Sequence, residues 1–146
     1  MCGIAGIISD RPLDRDVVPM IQAMQHRGQD HLDWITLSAS PFVQLGHTRL
    51  AIIDTSGAGI QPMQFGRLHI TFNGEIYNYR ELRSHLESKG ENFGTQTDTE
   101  VLLRMWAVYG PQCLDSLDGQ FAFAVYDTEA KELTLVRDRA GEKPLY

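Results

Sequence analysis

The sequence predicts an α+β fold: sheets packed face to face, with helices on the outside. Three observations carry this expectation. Strand signals come first and last, with two helical signals between them. Strands and helices do not alternate regularly, which sets aside a doubly wound parallel sheet. No internal repeat or low-complexity tract divides the 146 residues, a length that suits one domain.

The elements follow in chain order. Gly3 to Ser9 is short, apolar and glycine-punctuated, and reads as a buried strand to which another backbone comes close, broken by Arg11-Pro12. From Asp14 to Gln25 the apolar residues Val17, Val18, Ile21 and Met24 fall at helical spacing, with Pro19 tolerable in a first turn and Gly28 as a stop. Trp34–Ser38 and Phe42–Gly46 read as strands joined by a turn at Pro41, followed by the apolar run Leu50–Ile53 and a Gly/Ser/Thr-rich loop from Asp54 to Pro62. Leu68 to Phe72 alternates as a strand and runs into Asn73-Gly74, a turn signal. Tyr79–Ser88 and Thr97–Tyr109 are the two helices. Thr97 with Glu100 three residues on spells a capping box, and Pro111 opens a further helical turn through Leu117. Phe121–Tyr126 and Glu132–Arg137 form a hairpin pattern. The chain closes on Lys143-Pro144-Leu145-Tyr146, which looks like the start of another strand, so the sequence is expected to be an excerpt of a longer protein.

Composition excludes several classes of function. A 42% apolar and 22% charged chain is globular in type, and a net charge of −6 argues against a nucleic-acid partner bound through phosphates. No apolar run is long enough to span a membrane, and the N-terminus has neither the basic nor the apolar part of a secretory signal. Cys2 and Cys113 form neither a CxxC pair nor a metal spacing, which reads as a reduced, cytoplasmic protein with free thiols and no metal.

A few residues could carry chemistry. Cys2 is the first. A lone cysteine is usually a small buried hydrophobe. At position 2, however, removal of Met1 would leave one residue bearing both a thiol and a free α-amine. That amine has a reference pKa of about 7.7–8.0, against about 8.5 for the thiol, so it can act as the thiol's own general base. Asn73-Gly74 is either an ordinary tight turn or an oxyanion hole made of a side-chain amide and a backbone N–H. Arg49 is either a solvated edge residue or a bidentate holder of a carboxylate. Asp98 either complements a helix dipole or takes a substrate ammonium, a task Glu75 could share. His26 could simply end a helix, and neither it nor His47 has nearby partners for a metal site.

Taken together, these pieces resemble the N-terminal glutaminase domain of class II glutamine amidotransferases, which have an N-terminal-nucleophile hydrolase fold. The resemblance rests on Met1-Cys2-Gly3-Ile4-Ala5-Gly6, His26-Arg27-Gly28-Gln29-Asp30, Gly46 to Asp54, Gln61-Pro62-Met63, Phe72 to Asn78, Thr97-Asp98-Thr99-Glu100, Leu117-Asp118-Gly119, and Arg137-Asp138-Arg139 running on to Tyr146. It covers essentially residues 1–146. The segment Asn73-Gly74-Glu75-Ile76-Tyr77-Asn78 and the terminal Gly-Glu-Lys-Pro-Leu-Tyr point to the glutamine-hydrolysing asparagine synthetase branch. Gln29 departs from it, since that branch more often has Pro there.

The resemblance implies a four-layer α/β/β/α sandwich of two mainly antiparallel sheets. It also implies that Cys2 attacks the side-chain amide of L-glutamine, with Asn73 and Gly74 stabilising the oxyanions. Arg49 would hold the α-carboxylate, Asp98 and Glu75 the α-ammonium, and Leu50, Ala51, Ile52 and Ile53 would line the pocket. It implies no cofactor in this domain. ATP and Mg²⁺ would belong to a C-terminal synthetase domain, reached by ammonia through a tunnel and absent from this chain, and a homodimer is compatible with the family. Two other functions stay open at this point. One is a non-catalytic docking domain, should Met1 be retained. The other is an amidase of the same nucleophile type acting on a different amide.

Overall fold

The computed structural model describes residues 1–11 and 16–146. Its elements are β1 (Gly3–Ser9), α1 (Val18–Ala23), β2 (His31–Ala39), β3 (Phe42–Arg49), β4 (Met63–Phe65), β5 (Leu68–Ile76), α2 (Tyr79–Ser88), α3 (Asp98–Tyr109), β6 (Gly119–Asp127) and β7 (Glu132–Arg137), with 3₁₀ turns at Gln25–Arg27, Gly57–Gly59 and Gly110–Ser116. The strands form two antiparallel sheets, ordered β1-β3-β2 and β4-β5-β6-β7. The sheets face each other through β1, β3 and β5. Helix α1 covers the outer face of the first sheet, and α2 and α3 cover the outer face of the second. These are the four layers of an α/β/β/α sandwich.

The strand alternation dictates this layering. On β5, Leu68, Ile70, Phe72 and Ile76 point outward and pack with Phe121, Phe123 and Val125 of β6 against Leu82 and Leu86 of α2 and Val101, Leu102, Met105 and Trp106 of α3, forming the larger core. A smaller apolar cluster between the sheets joins Val43 and Leu45 of β3 to Ala124 and Tyr126 of β6. Polar side chains share that inter-sheet space: Thr71 Oγ1 donates to Gly46 O at 3.1 Å, and His47 Nε2 donates to Phe72 O at 3.2 Å. On the opposite face of β3, a Cβ at Gly46 would lie 2.7 Å from Ile21 Cγ2, so glycine there lets α1 sit close on the sheet.

Several expectations are revised. The helix expected from Asp14 is a short one: within the described residues it runs Val18–Ala23, has Pro19 in its first turn and gives way to the 3₁₀ turn Gln25–Arg27. Pro12, Asp14 and Arg15 lie outside the described residues. β2, β3 and β6 are longer than their apolar cores suggest, because pairing carries them into flanking polar residues such as His31 and Arg49. Strand β4 had no alternation to reveal it, being only three residues long. Asn73-Gly74 is not a turn but lies inside β5, paired with Ala122 and Phe121. The segment opened by Pro111 is a 3₁₀ turn.

Candidate active site

The site lies at the end of the inter-sheet space, past the last pair of β3 and where β5 has left β4 but not β6. Cys2 sits one residue before the first Gly3–Thr48 pair of β1 and β3. Its carbonyl accepts from Arg27 Nε at 3.0 Å, and its thiol lies against Leu50, with Leu50 N donating to Sγ at 3.4 Å. Burial pushes the thiol above its ordinary pKa, and Asp98 adds to the rise. The Leu50 backbone bond, the N-terminal amine and Arg49 act in the opposite direction. The thiol therefore stays protonated until a base removes its proton.

The open edge of β5 supplies the donors. On β6, Phe121 faces β7 with both backbone groups: its N–H donates to Asp138 Oδ2 at 3.0 Å and its carbonyl accepts from Asp138 N at 2.8 Å. In an antiparallel ladder this turns Ala122 toward β5, so Asn73 opposite it is the residue bonded to β6, and the even-numbered residues of β5 face away. β4 covers that far edge no further than Ile70. Beyond it, side chains take over. Phe72 N–H donates to Gln61 Oε1 at 2.7 Å, Phe72 O accepts from His47, and Ile76 N–H donates to Asp98 Oδ2 at 3.1 Å. Between these two closed positions Gly74 N–H opens onto a cavity. The Asn73 side chain, buried in the inter-sheet space, lines the same cavity.

That cavity has a volume of about 280 Å³, at the small end of ligand pockets. All ten residues expected at a site (Cys2, Arg49, Leu50, Ala51, Ile52, Ile53, Asn73, Gly74, Glu75 and Asp98) lie on its wall. Arg49 is buried rather than a solvated edge residue, and its guanidinium donates to the carbonyls of Ser56 and Asp54. A guanidinium has five N–H donors, so these two bonds fix the fork and leave donors for an anion. Asp98 begins α3, one residue after the N-cap Thr97, whose side chain accepts from Glu100 N at 3.1 Å. The capping box is half formed, because the Glu100 carboxylate turns instead to the backbone N–H groups of Gly94 and Thr95. Burial pushes the Asp98 carboxyl up to about 6, and Glu75 beside it acts in the same direction against the Ile76 and Thr99 N–H bonds.

The apolar run Leu50–Ile53 is a loop, and Leu50, Ile52 and Ile53 are exposed at the cavity mouth. It is held from behind by Asp30, whose N–H donates to Arg49 O and whose carboxylate accepts from Ala51 N at 2.8 Å. Met1, Asp54, Gln61, Thr97, Thr99, Gln120 and Lys143 also line the cavity and are not among the site residues expected from the sequence. All of these but Gln120 stand in segments that carry the family resemblance, but no local pattern assigns them to a pocket. Among the described residues no group of His, Cys, Asp and Glu is arranged to hold a metal, and no helix is long and apolar enough to cross a membrane.

Fold and site together define an α/β/β/α sandwich with a thiol, a guanidinium and a buried carboxyl on the wall of one cavity at the end of the inter-sheet space. Comparison with known proteins narrows the class. Residues 1–146 match the glutamine amidotransferase domain family along their whole length, and the chain belongs to that family. It is 40% identical to asparagine synthetase [glutamine-hydrolyzing] 1 of Bacillus subtilis and 38% identical to asparagine synthetase B [glutamine-hydrolyzing] of Escherichia coli, matched over 100% of this chain in both cases. It spans 24% and 26% of those relatives' lengths. Among solved structures, a glutamine phosphoribosylpyrophosphate amidotransferase from Bacillus subtilis superposes with a TM-score of 0.75 over 94% of this chain and 37% of its own, at 22% identity, a likeness of fold.

Proposed function

We propose that this chain hydrolyses the side-chain amide of L-glutamine to glutamate and ammonia, as the glutaminase part of an asparagine-synthetase-type enzyme. One observation carries the reading. A single small cavity brings together the Cys2 thiol, a Gly74 N–H with no partner among the described residues, the Asn73 amide, a buried Arg49 fork and the buried Asp98 carboxylate. A zwitterionic amino acid with a reactive side-chain amide complements that set. Arg49 takes its α-carboxylate, while Asp98 and Glu75 take its α-ammonium.

With Met1 removed, the Cys2 amine accepts the Sγ proton and the sulfur attacks the amide carbon. Gly74 N–H and the Asn73 amide donate to the oxyanion, each such donor contributing about 3–4 kcal/mol in the transition state. Collapse of the intermediate expels ammonia, which leaves with the proton the amine holds. Water, deprotonated by the same amine, then cleaves the thioester through a second oxyanion. In a longer protein the ammonia serves amidation of aspartate in a synthetase domain, by analogy with relatives named glutamine-hydrolysing asparagine synthetases, and the family resemblance implies ATP and Mg²⁺ there. A different carboxylate or sugar acceptor is the alternative.

The test is glutamate release from glutamine by the Met1-free full chain. Wild type is expected to be active and Cys2→Ala inactive, and persistent hydrolysis in Cys2→Ala overturns the reading. A second reading is favoured by Met1 itself, which lines the cavity while its carbonyl makes the Cys2 nitrogen an amide with no basicity. Intact mass separates the two, since a protein that retains Met1 is a scaffold without a base.

A further inference from the structure

The C-terminal segment folds back in a tight knot that ends at the cavity. Asp138, just after β7, accepts from Glu142 N with Oδ1 at 2.8 Å and from both Phe121 N and Lys143 N with Oδ2 at 3.0 Å. Its own carbonyl accepts from Gly141 N at 3.0 Å. Arg137 closes the knot from the other side, with Nε donating to Lys143 O at 2.7 Å and Nη2 to Gly141 O at 2.6 Å. What this knot presents is Lys143. Its side chain is buried and lines the cavity that Met1, Cys2 and Gln120 also line. Among the described residues it takes part in no ion pair, and its Nζ has one hydrogen-bond partner, Met1 Sδ at 3.5 Å. Sulfur is a weak acceptor, and burying an ammonium without a carboxylate is costly. The fold therefore holds a cation against the residue whose removal would create the nucleophile's base.

The geometry points to Lys143 as a positioning residue whose lever is charge: once Met1 is gone, its ammonium faces the Cys2 amine and holds that amine in the neutral, proton-accepting form. Loss of Met1 removes the one partner of Nζ and opens the space between Nζ and the new N-terminus. Two cations in that space repel, so the amine gives up its proton at lower pH. Other charged groups surround the same nitrogen: Arg27 on the 3₁₀ turn beneath Cys2, Arg49 on β3, Glu75 on β5 and Asp98 on α3. Arg27 bonds the Cys2 carbonyl, Arg49 bonds loop carbonyls and Asp98 bonds Ile76 N, whereas among the described residues Lys143 Nζ has no oxygen partner.

The inference rests on the glutaminase reading, and the test separates them. In the Met1-free full chain, kcat/KM for glutamine hydrolysis is followed against pH for wild type, Lys143→Met and Lys143→Arg. Lys143→Met is expected to move the acid limb up by about one pH unit, with Lys143→Arg returning it toward wild type. A purely structural lysine would lower activity without moving the limb. An unmoved limb in a folded, Cys2-dependent Lys143→Met enzyme overturns the inference and leaves the glutaminase reading intact. If Lys143→Met does not fold, the wild-type amine is titrated by ¹⁵N NMR. A value below the reference of about 7.7–8.0 supports the inference, and one at or above it overturns it.

Discussion

Asp98 shows how one residue's surroundings set the chemistry of the site. A carboxylate at the start of α3 would ordinarily be stabilised by the helix N-terminus. Here burial beside Glu75 outweighs the bond from Ile76 N, and the carboxyl reaches about 6. An ammonium brought in by a substrate meets a carboxylate that burial makes unfavourable and the ligand relieves, so binding and deprotonation are linked. The sign follows directly: below about 6 the empty site carries a neutral carboxyl, and a ligand's ammonium has to displace a proton to pair with it. Using Cys2→Ala protein to prevent turnover, the glutamine Kd measured by calorimetry is expected to be flat from pH 8 to 7 and to weaken about tenfold by pH 5. Asp98→Asn should bind weakly at every pH with no such slope. A wild-type profile as flat as that of Asp98→Asn would remove Asp98 from ammonium recognition.

At the scale of the element, the site is a strand edge whose partner stops early. β4 releases β5 after Ile70, Gln61 and His47 close Phe72, Asp98 closes Ile76, and the gap between them is Gly74. The glycine is required for a reason other than substrate access. A Cβ there would run into Gln120 O and lie 2.7 Å from Phe121 Cα, so it is the approach of β6 that demands glycine. Gly74→Ala is therefore expected to cost about 1–3 kcal/mol of stability, read as a lower urea midpoint, besides impairing hydrolysis. An unchanged midpoint would show that β6 yields. The same strand shows what the sequence could and could not display. Asn-Gly has the local preferences of a turn, and the pairing that overrides them involves Ala122 and Phe121, more than forty residues away. Helix α3 was legible because Thr97 and Glu100 lie within one turn of each other, although Glu100 finds better partners in Gly94 and Thr95. Arg49, Asp98 and Asn73 were legible as chemistry by residue type and by family resemblance. Lys143 was not, because only the fold-back around Asp138 brings it to the cavity.

Across the whole molecule, the two sheets are tied together by polar bonds as well as by a small apolar cluster, and this makes stability depend on pH in two opposing ways. His47 on β3 reaches across to Phe72 O on β5, and burial holds its imidazole down to about 4, with Arg49 and His31 acting in the same direction. Unfolding restores an ordinary histidine that titrates near 6.5, so the unfolded chain binds a proton the native state refuses. The contribution of neutral His47 is fully present above pH 6.5 and is lost as pH falls toward about 4, amounting to about 3 kcal/mol. Asp98 works in reverse. Its folded pKa near 6 lies above the unfolded value of 3.8, so the native state binds the extra proton and gains stability as pH falls through the same range. The two nearly offset each other around pH 5, and wild type should show a shallow acid slope in melting temperature between pH 6.5 and 5. Removing one group uncovers the other. His47→Gln, which can still donate to Phe72 O, should hold or gain stability as pH falls across this window. Asp98→Asn, which keeps an acceptor for Ile76 N, should lose stability more steeply than wild type. Parallel slopes in all three proteins would show that neither group differs between the folded and unfolded chain, and that the inter-sheet histidine is solvated.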